Sequence, residues 1–233
     1  MSVDFQPSLF DTLDAPVAAG DARTAETVRF GNLTGEVRRH LLSGGAWVDI
    51  RPAWVTGADD LFVRLVRDVP WRAERRTMYD RVVDVPRLTR FYGGRDALPD
   101  PALAEARDVL TDHYVGELGE PFTTAGLCYY RDGRDSVAWH GDRVGRRGRQ
   151  GQPDGLRRQD TMVAILSLGD ARRLSLRPRP GLAEGATLSF QVGHGDLLVM
   201  GGSCQRTWEH AILKSTRPVG PRVSVQIRPH NVR

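Results

Sequence analysis

A few residues in this chain have the types and spacing to hold a metal ion. Trp139-His140-Gly141-Asp142 sets an imidazole and a carboxylate two positions apart. On a strand, residues i and i+2 face the same side, so the two groups would project together. A second imidazole would complete a set of two histidines and one carboxylate, which holds iron(II) and leaves positions open for other ligands. His40, His113, His194, His210 and His230 are the other histidines. His210 fits best, because TWEHAI reads as a short strand near the end of a β-rich region. His194, in VGHGD, reads as a turn; His113 falls on a long helix, His40 near the end of a short one, and His230 in the tail. An HxD by itself is a weak signal, since most histidines simply pack or face water. The rest of the pattern gives it weight.

Downstream of His210 comes GPRVSVQIRP. Arg222, Ser224, Gln226 and Arg228 share one face of the expected strand, and Val223, Val225 and Ile227 share the other. Two arginines on one face would aim into a barrel, and a buried guanidinium is costly without an anion. A dicarboxylate would supply one. The plainer reading is an edge strand with its polar face in water.

Taken jointly, HxD, a distant His and an RxxxxxR that begins twelve residues later resemble the AlkB-type iron(II)- and 2-oxoglutarate-dependent dioxygenases. YYRDGRDSVAWHGD, TMVAILSLGDARRLSLRPR, GDLLVMGGSCQRTWEH and GPRVSVQIRP resemble successive blocks of that family, in order. VPWRAERRTMYDR and VPRLTRFYGG resemble its substrate-side region, so the likeness covers about residues 65–230. It implies a mainly β fold with flanking helices around a double-stranded β-helix (jelly roll) core. It implies that His140, Asp142 and His210 bind iron(II). It assigns Arg222 to the distal carboxylate of 2-oxoglutarate, helped by Tyr130 and Ser224, and puts Arg228 near the 1-carboxylate and the metal. The implied reaction consumes dioxygen and 2-oxoglutarate and removes methyl groups from alkylated DNA or RNA bases, as in repair of alkylation damage. Such a base must leave its stack to reach the metal.

The elements that must position these residues are legible in outline. After residue 120 short β-rich segments alternate with turn residues, the pattern of a sandwich, jelly roll or barrel. Residues 101–118 read as the best helix, opened by Pro101. Residues 26–33 read as a short strand, and Thr34 as the cap of a short helix closed by Gly44 and Gly45. Residues 46–54 read as extended, and 58–66 as a short helix. Residues 68–94 interleave aromatics, arginines and breakers, which suits a surface-forming region. The expected layout is an arm over 1–25, an extension and substrate-side region over 26–120, and a catalytic core over 121–233, all in one domain.

The formal net charge is +4, and Lys214 is the only lysine. So rich an arginine content suits phosphate contacts, or reflects coding bias. Residues 143–159 read as a long basic loop whose Arg143 and Arg146 could meet phosphates; Arg72, Arg75, Arg76 and Arg81 could do the same. Two distant cysteines suggest a reducing compartment, and no apolar segment is long enough to span a membrane, so a cytoplasmic location is expected; a monomer is expected as well.

Three departures from the family pattern bear on the substrate. Cys128 stands where the family has an Asn two residues before the tyrosine, and a thiol hydrogen-bonds weakly. Arg143-Val144-Gly145 follows Asp142 where repair enzymes carry a base-reading acid. RDALPDPAL lacks the aromatic that stacks on the base, leaving Tyr79, Phe91 or Tyr92 as substitutes. Two competing readings remain: the same chemistry on a protein or small molecule, and a nucleic-acid-binding relative without catalysis.

Overall fold

The computed structural model describes residues 27–78, 81–142, 160–230 and 232, with side chains outside 76–84. The expected N-terminal arm, Tyr79, and the basic segment with Arg143 and Arg146 lie outside the described residues. In chain order the strands are β1 (Arg29–Phe30), β2 (Arg38–Leu41), β3 (Ala46–Arg51), β4 (Val55–Thr56), β5 (Arg72–Met78), β6 (Arg81–Tyr92) and β7 (Phe122–Tyr130). They continue as β8 (Val137–His140), β9 (Val163–Gly169), β10 (Arg172–Pro178), β11 (Leu188–Val192), β12 (Asp196–Gly202), β13 (Trp208–Ile212) and β14 (Arg222–Pro229). The helices are α1 (Ala58–Asp68), α2 (Pro101–Leu118) and α3 (Cys204–Thr207).

The strands form a jelly roll of two main sheets. The larger runs β2-β3-β12-β9-β14-β7-β6-β5 and the smaller β11-β10-β13-β8. All the ladders are antiparallel. Two cores result, one on each face of the larger sheet. Between the sheets, Val48, Ile165, Leu198 and Met200 meet Leu174, Leu176 and Ile212. On the outer face, Leu127, Leu166, Val223, Val225 and Ile227 pack with Leu61 and Leu65 of α1 and Leu103 and Leu110 of α2. Each fully buried leucine contributes about 1.5–3 kcal/mol. A central strand covered on both faces needs a nearly continuous apolar run, and β9, VAILSLG, has one.

Helix α2 starts where the sequence indicates. Asp100 caps it, its side chain accepting from the Ala102 amide at 2.9 Å, and Pro101 opens its first turn. Gly119 closes it at φ 79°, a left-handed conformation that glycine adopts without strain.

Two segments differ from expectation. Residues 34–45 form no α-helix: the Asn32 side chain accepts from the Thr34 amide in a turn, and β2 then pairs with β3. The helical spacing there serves no packing, since Leu41 is 81% exposed. Arg39 decides the matter, gripping Asp49 on β3 through two bonds of 2.8 Å and lying over the Trp47 ring. Residues 68–94, read as a surface-forming region, are ordered into β5 and β6, which extend the larger sheet beyond β7. The breaker Pro86 is tolerated because the β5–β6 register jumps from Ala73↔Leu88 to Arg75↔Asp84, a bulge that skips 85–87.

Candidate metal and cosubstrate site

Strand β13 lies antiparallel to β8 and sets His210 directly opposite His140. The two rings stand 4.2 Å apart, next to an irregularity in the ladder. Strand β8 ends at His140, so Asp142 lies just past the strand rather than on it. Its carboxylate still returns to the histidine, with Oδ1 3.6 Å from His140 Nε2. One ligand atom from each of His140, Asp142 and His210 falls within 4.8 Å of the others. Gly141 permits this turn. A Cβ there would lie 2.4 Å from the Gln205 carbonyl oxygen and 2.6 Å from Arg179 Nη2.

The three groups are held in ligand-ready states. His140 Nδ1 lies 2.8 Å from the Ala138 carbonyl, so Nδ1–H donates there and Nε2 is left towards Asp142. Burial, then the neighbouring His140, pushes the His210 pKa down to about 3, which keeps that imidazole neutral. Burial works to raise the Asp142 pKa, but the Arg228 guanidinium beside it holds it below the usual carboxylate range. Arg228 Nε donates to Asp142 Oδ2 at 2.5 Å, and the Asp142 amide donates to Gln205 Oε1 at 2.9 Å. Gly126 leaves room for Arg228, since a Cβ there would lie 2.7 Å from its Nη1. Two imidazoles and an ionised carboxylate make a donor set that fits iron(II).

Strand β14 runs between β7 and β9, so its polar face is enclosed rather than at an edge. Arg222 stands opposite Tyr130, and Ser224 opposite both Cys128 and Ser167. Arg222 is 1% exposed; its Nε donates to Ser167 Oγ at 2.9 Å, and its guanidinium lies 5.4 Å from the centre of the Tyr130 ring. Its Nη1 is buried with no partner. Burial lowers the Arg222 pKa, and among the described residues no carboxylate pairs with it. Burial likewise pushes Tyr130 up to about 12, so it stays a neutral phenol donor. An anion in this place would satisfy both groups, so the pocket fits a carboxylate. Cys128 Sγ faces Gln226 Oε1 at 3.7 Å, and Gln226 Nε2 donates to Ser224 Oγ at 2.6 Å. His140, His210, Cys128, Tyr130, Arg222 and Ser224 line one cleft.

The candidates for substrate contact fare differently. Phe91 stands opposite Gly126 on β7, in the row that continues to Gln226 on the cleft face, and is 43% exposed. Tyr92 points the other way, buried in the core beneath α2, and does not reach the cleft. Tyr79, Arg143 and Arg146 lie outside the described residues.

Four further residues shape the site and were not legible as such. Arg87 lines the cleft from β6. Arg172 is buried beside Tyr130, donating to the carbonyls of Asp132, Asp135 and Leu213. Ser167 and Gln205 supply the hydrogen bonds already described. Ser167 left a trace, as the one hydroxyl within the apolar run VAILSLG. Nothing local marked the others.

The model of the 2OG-Fe(II) oxygenase superfamily matches residues 94–228. The bovine alpha-ketoglutarate-dependent dioxygenase alkB homolog 3 is 28% identical over 184 residues, 73% of this chain and 61% of that protein. The chain thus spans about three fifths of the length of that relative. The human DNA oxidative demethylase ALKBH2 is 24% identical over 188 residues, 73% of this chain and 68% of that one. The solved structure of OsALKBH1 superposes with a TM-score of 0.52 at 14% identity, over 83% of this chain and 100% of that chain, a likeness of fold. With its matched region covering more than half of its length, and its metal-ligand candidates inside that region, the chain belongs to the 2OG-Fe(II) oxygenase superfamily.

Proposed function

We propose that the protein is an iron(II)- and 2-oxoglutarate-dependent dioxygenase in which His140, Asp142 and His210 hold the metal. Arg222 takes the distal carboxylate of 2-oxoglutarate, with Tyr130 and Ser224 donating to the same end. Arg228 keeps Asp142 ionised and aligned beside the 1-carboxylate, and Cys128 forms part of the cosubstrate wall. Bound there, iron(II), 2-oxoglutarate and dioxygen supply the oxidation of a C–H bond, with succinate and carbon dioxide as coproducts. The chain's own part is to position the ligands, to bury the cosubstrate carboxylate out of water, and to keep His210 unprotonated. One observation carries this reading: Arg222, whose buried Nη1 has no partner, lines the same cleft as the two histidines.

The proposed substrate is an alkylated base in DNA or RNA, whose N-methyl group is hydroxylated and lost as formaldehyde. Supporting this are the resemblance carried by residues 65–230, the demethylase named among the relatives, and the basic arginine-rich composition. Arg143 in place of a base-reading acid favours a second reading, the same chemistry on a protein or small molecule. We also propose that the protein works as a monomer in the cytoplasm, where its two free thiols would stay reduced. Among the described residues no helix is long and apolar enough to cross a membrane.

Mass spectrometry of oligonucleotides carrying 1-methyladenine, 3-methylcytosine or 3-methylthymine tests the substrate. Loss of a methyl group with formaldehyde release is expected. Succinate formation with every oligonucleotide left intact would move the search to the second reading.

A further inference from the structure

Among the described residues, six buried side-chain polar atoms have no hydrogen-bond partner. Two of them, Arg222 Nη1 and Arg87 Nε, belong to residues that line the cleft. A buried donor without an acceptor is rare in a folded protein and calls for a ligand or another explanation. Arg222 has one in the cosubstrate carboxylate. Arg87 has none yet.

The position of Arg87 is set by the sheet. Leu88 pairs with Tyr129 and Thr89 with Cys128, so Arg87 comes beside Tyr130 at the end of the β6–β7 ladder. It lies in the stretch that the β5 register skips. Its Nη1 donates to the Ser136 carbonyl at 3.0 Å, and the Ser136 amide donates to the Pro86 carbonyl at 2.7 Å. The guanidinium is therefore fixed from behind. Its other neighbours are the Cys128 thiol, the Tyr130 phenol and, from β5, the Glu74 carboxylate. Arg87 and Arg222 thus flank one phenol, each with a buried N–H unused.

We infer that Arg87 is a second arginine of the cosubstrate pocket and closes, with Arg222 and Tyr130, on the distal carboxylate of 2-oxoglutarate. This rests on the cosubstrate reading proposed above. It also gives a physical role to Cys128. A thiol donates weakly, and Arg87 beside it brings a charged donor to the same wall of the pocket. A pocket of this kind selects strongly for a dicarboxylate, because each charge-assisted bond is lost when the distal carboxylate is missing.

The test uses the full chain loaded with manganese(II), which holds the ligands without turnover. Calorimetry measures binding of 2-oxoglutarate and of 2-oxopentanoate, which lacks the distal carboxylate. In Arg87→Met the Kd for 2-oxoglutarate should rise about tenfold or more, while that for 2-oxopentanoate stays within about twofold of wild type. Arg87→Lys, which keeps the charge, should recover part of the loss. A Kd for 2-oxoglutarate unchanged in Arg87→Met overturns the assignment, and a weaker hold on a methylated oligonucleotide in that variant would give Arg87 to the substrate instead. An equal loss for both oxo acids also overturns it, by reducing Arg87 to a structural support. Failure of the wild type to bind 2-oxoglutarate would sink the cosubstrate reading itself.

Discussion

The two faces of β14 show how one strand serves two purposes. Val223, Val225 and Ile227 enter the core under the helices, while Arg222, Ser224, Gln226 and Arg228 face the cleft. The first face is held by area removed from water, which many apolar side chains could supply. The second holds groups whose burial is unfavourable until a ligand arrives. Arg222 is as deeply buried as the valines beside it, yet its Nη1 goes unpaired. Substitutions on the apolar face should therefore change stability, and those on the polar face should change ligand binding.

The largest departure should come from the metal ligands. His210→Ala should lower turnover about 10³-fold or more, because several kcal/mol of stabilisation depend on the metal. Retention of full metal binding in that variant, read by metal content after gel filtration, would contradict the assignment.

Next comes Arg222→Met, which sharpens the contrast most. The Kd for 2-oxoglutarate should rise about a hundredfold with the loss of a charged hydrogen bond. The melting temperature without cosubstrate should hold or rise, since a buried unpaired charge gives way to an apolar side chain of similar size. A large drop in that temperature would make Arg222 a structural residue and blur the distinction between the faces.

Gln205→Ala should act more mildly. It removes the acceptor for the Asp142 amide and should weaken metal affinity about tenfold. The smallest effect belongs to Ile227→Val on the apolar face, at about 1 kcal/mol of stability and a few degrees of melting temperature. Its KM for 2-oxoglutarate should match wild type, and an altered KM would show that the two faces are coupled.

Sequence reading grouped the candidate ligands more closely to what the structure brings together than it drew the elements around them, for a physical reason. HxD and RxxxxxR carry their geometry locally, because a strand's alternation fixes which side chains travel together. The register of β13 against β8, which sets His210 opposite His140, is not written in any one segment. Helix α2 was legible because Asp100, Pro101 and Gly119 state its ends. Residues 34–45 misled because the preference of a short segment yields to a distant partner, here Asp49 gripping Arg39. Arg87, Arg172 and Gln205 escaped notice for the same reason. Their roles depend on atoms brought in from other elements, such as the Ser136, Leu213 and Asp142 backbones.

The most direct test of the site is succinate production from 2-oxoglutarate. The protein would be prepared without oxygen, loaded with iron(II), exposed to air with 2-oxoglutarate and a methylated oligonucleotide, and compared with His140→Ala. The expected result is succinate that depends on iron and is lost in the variant, with formaldehyde released alongside it. Iron bound with no succinate formed, or succinate formed equally by His140→Ala, would contradict the site described.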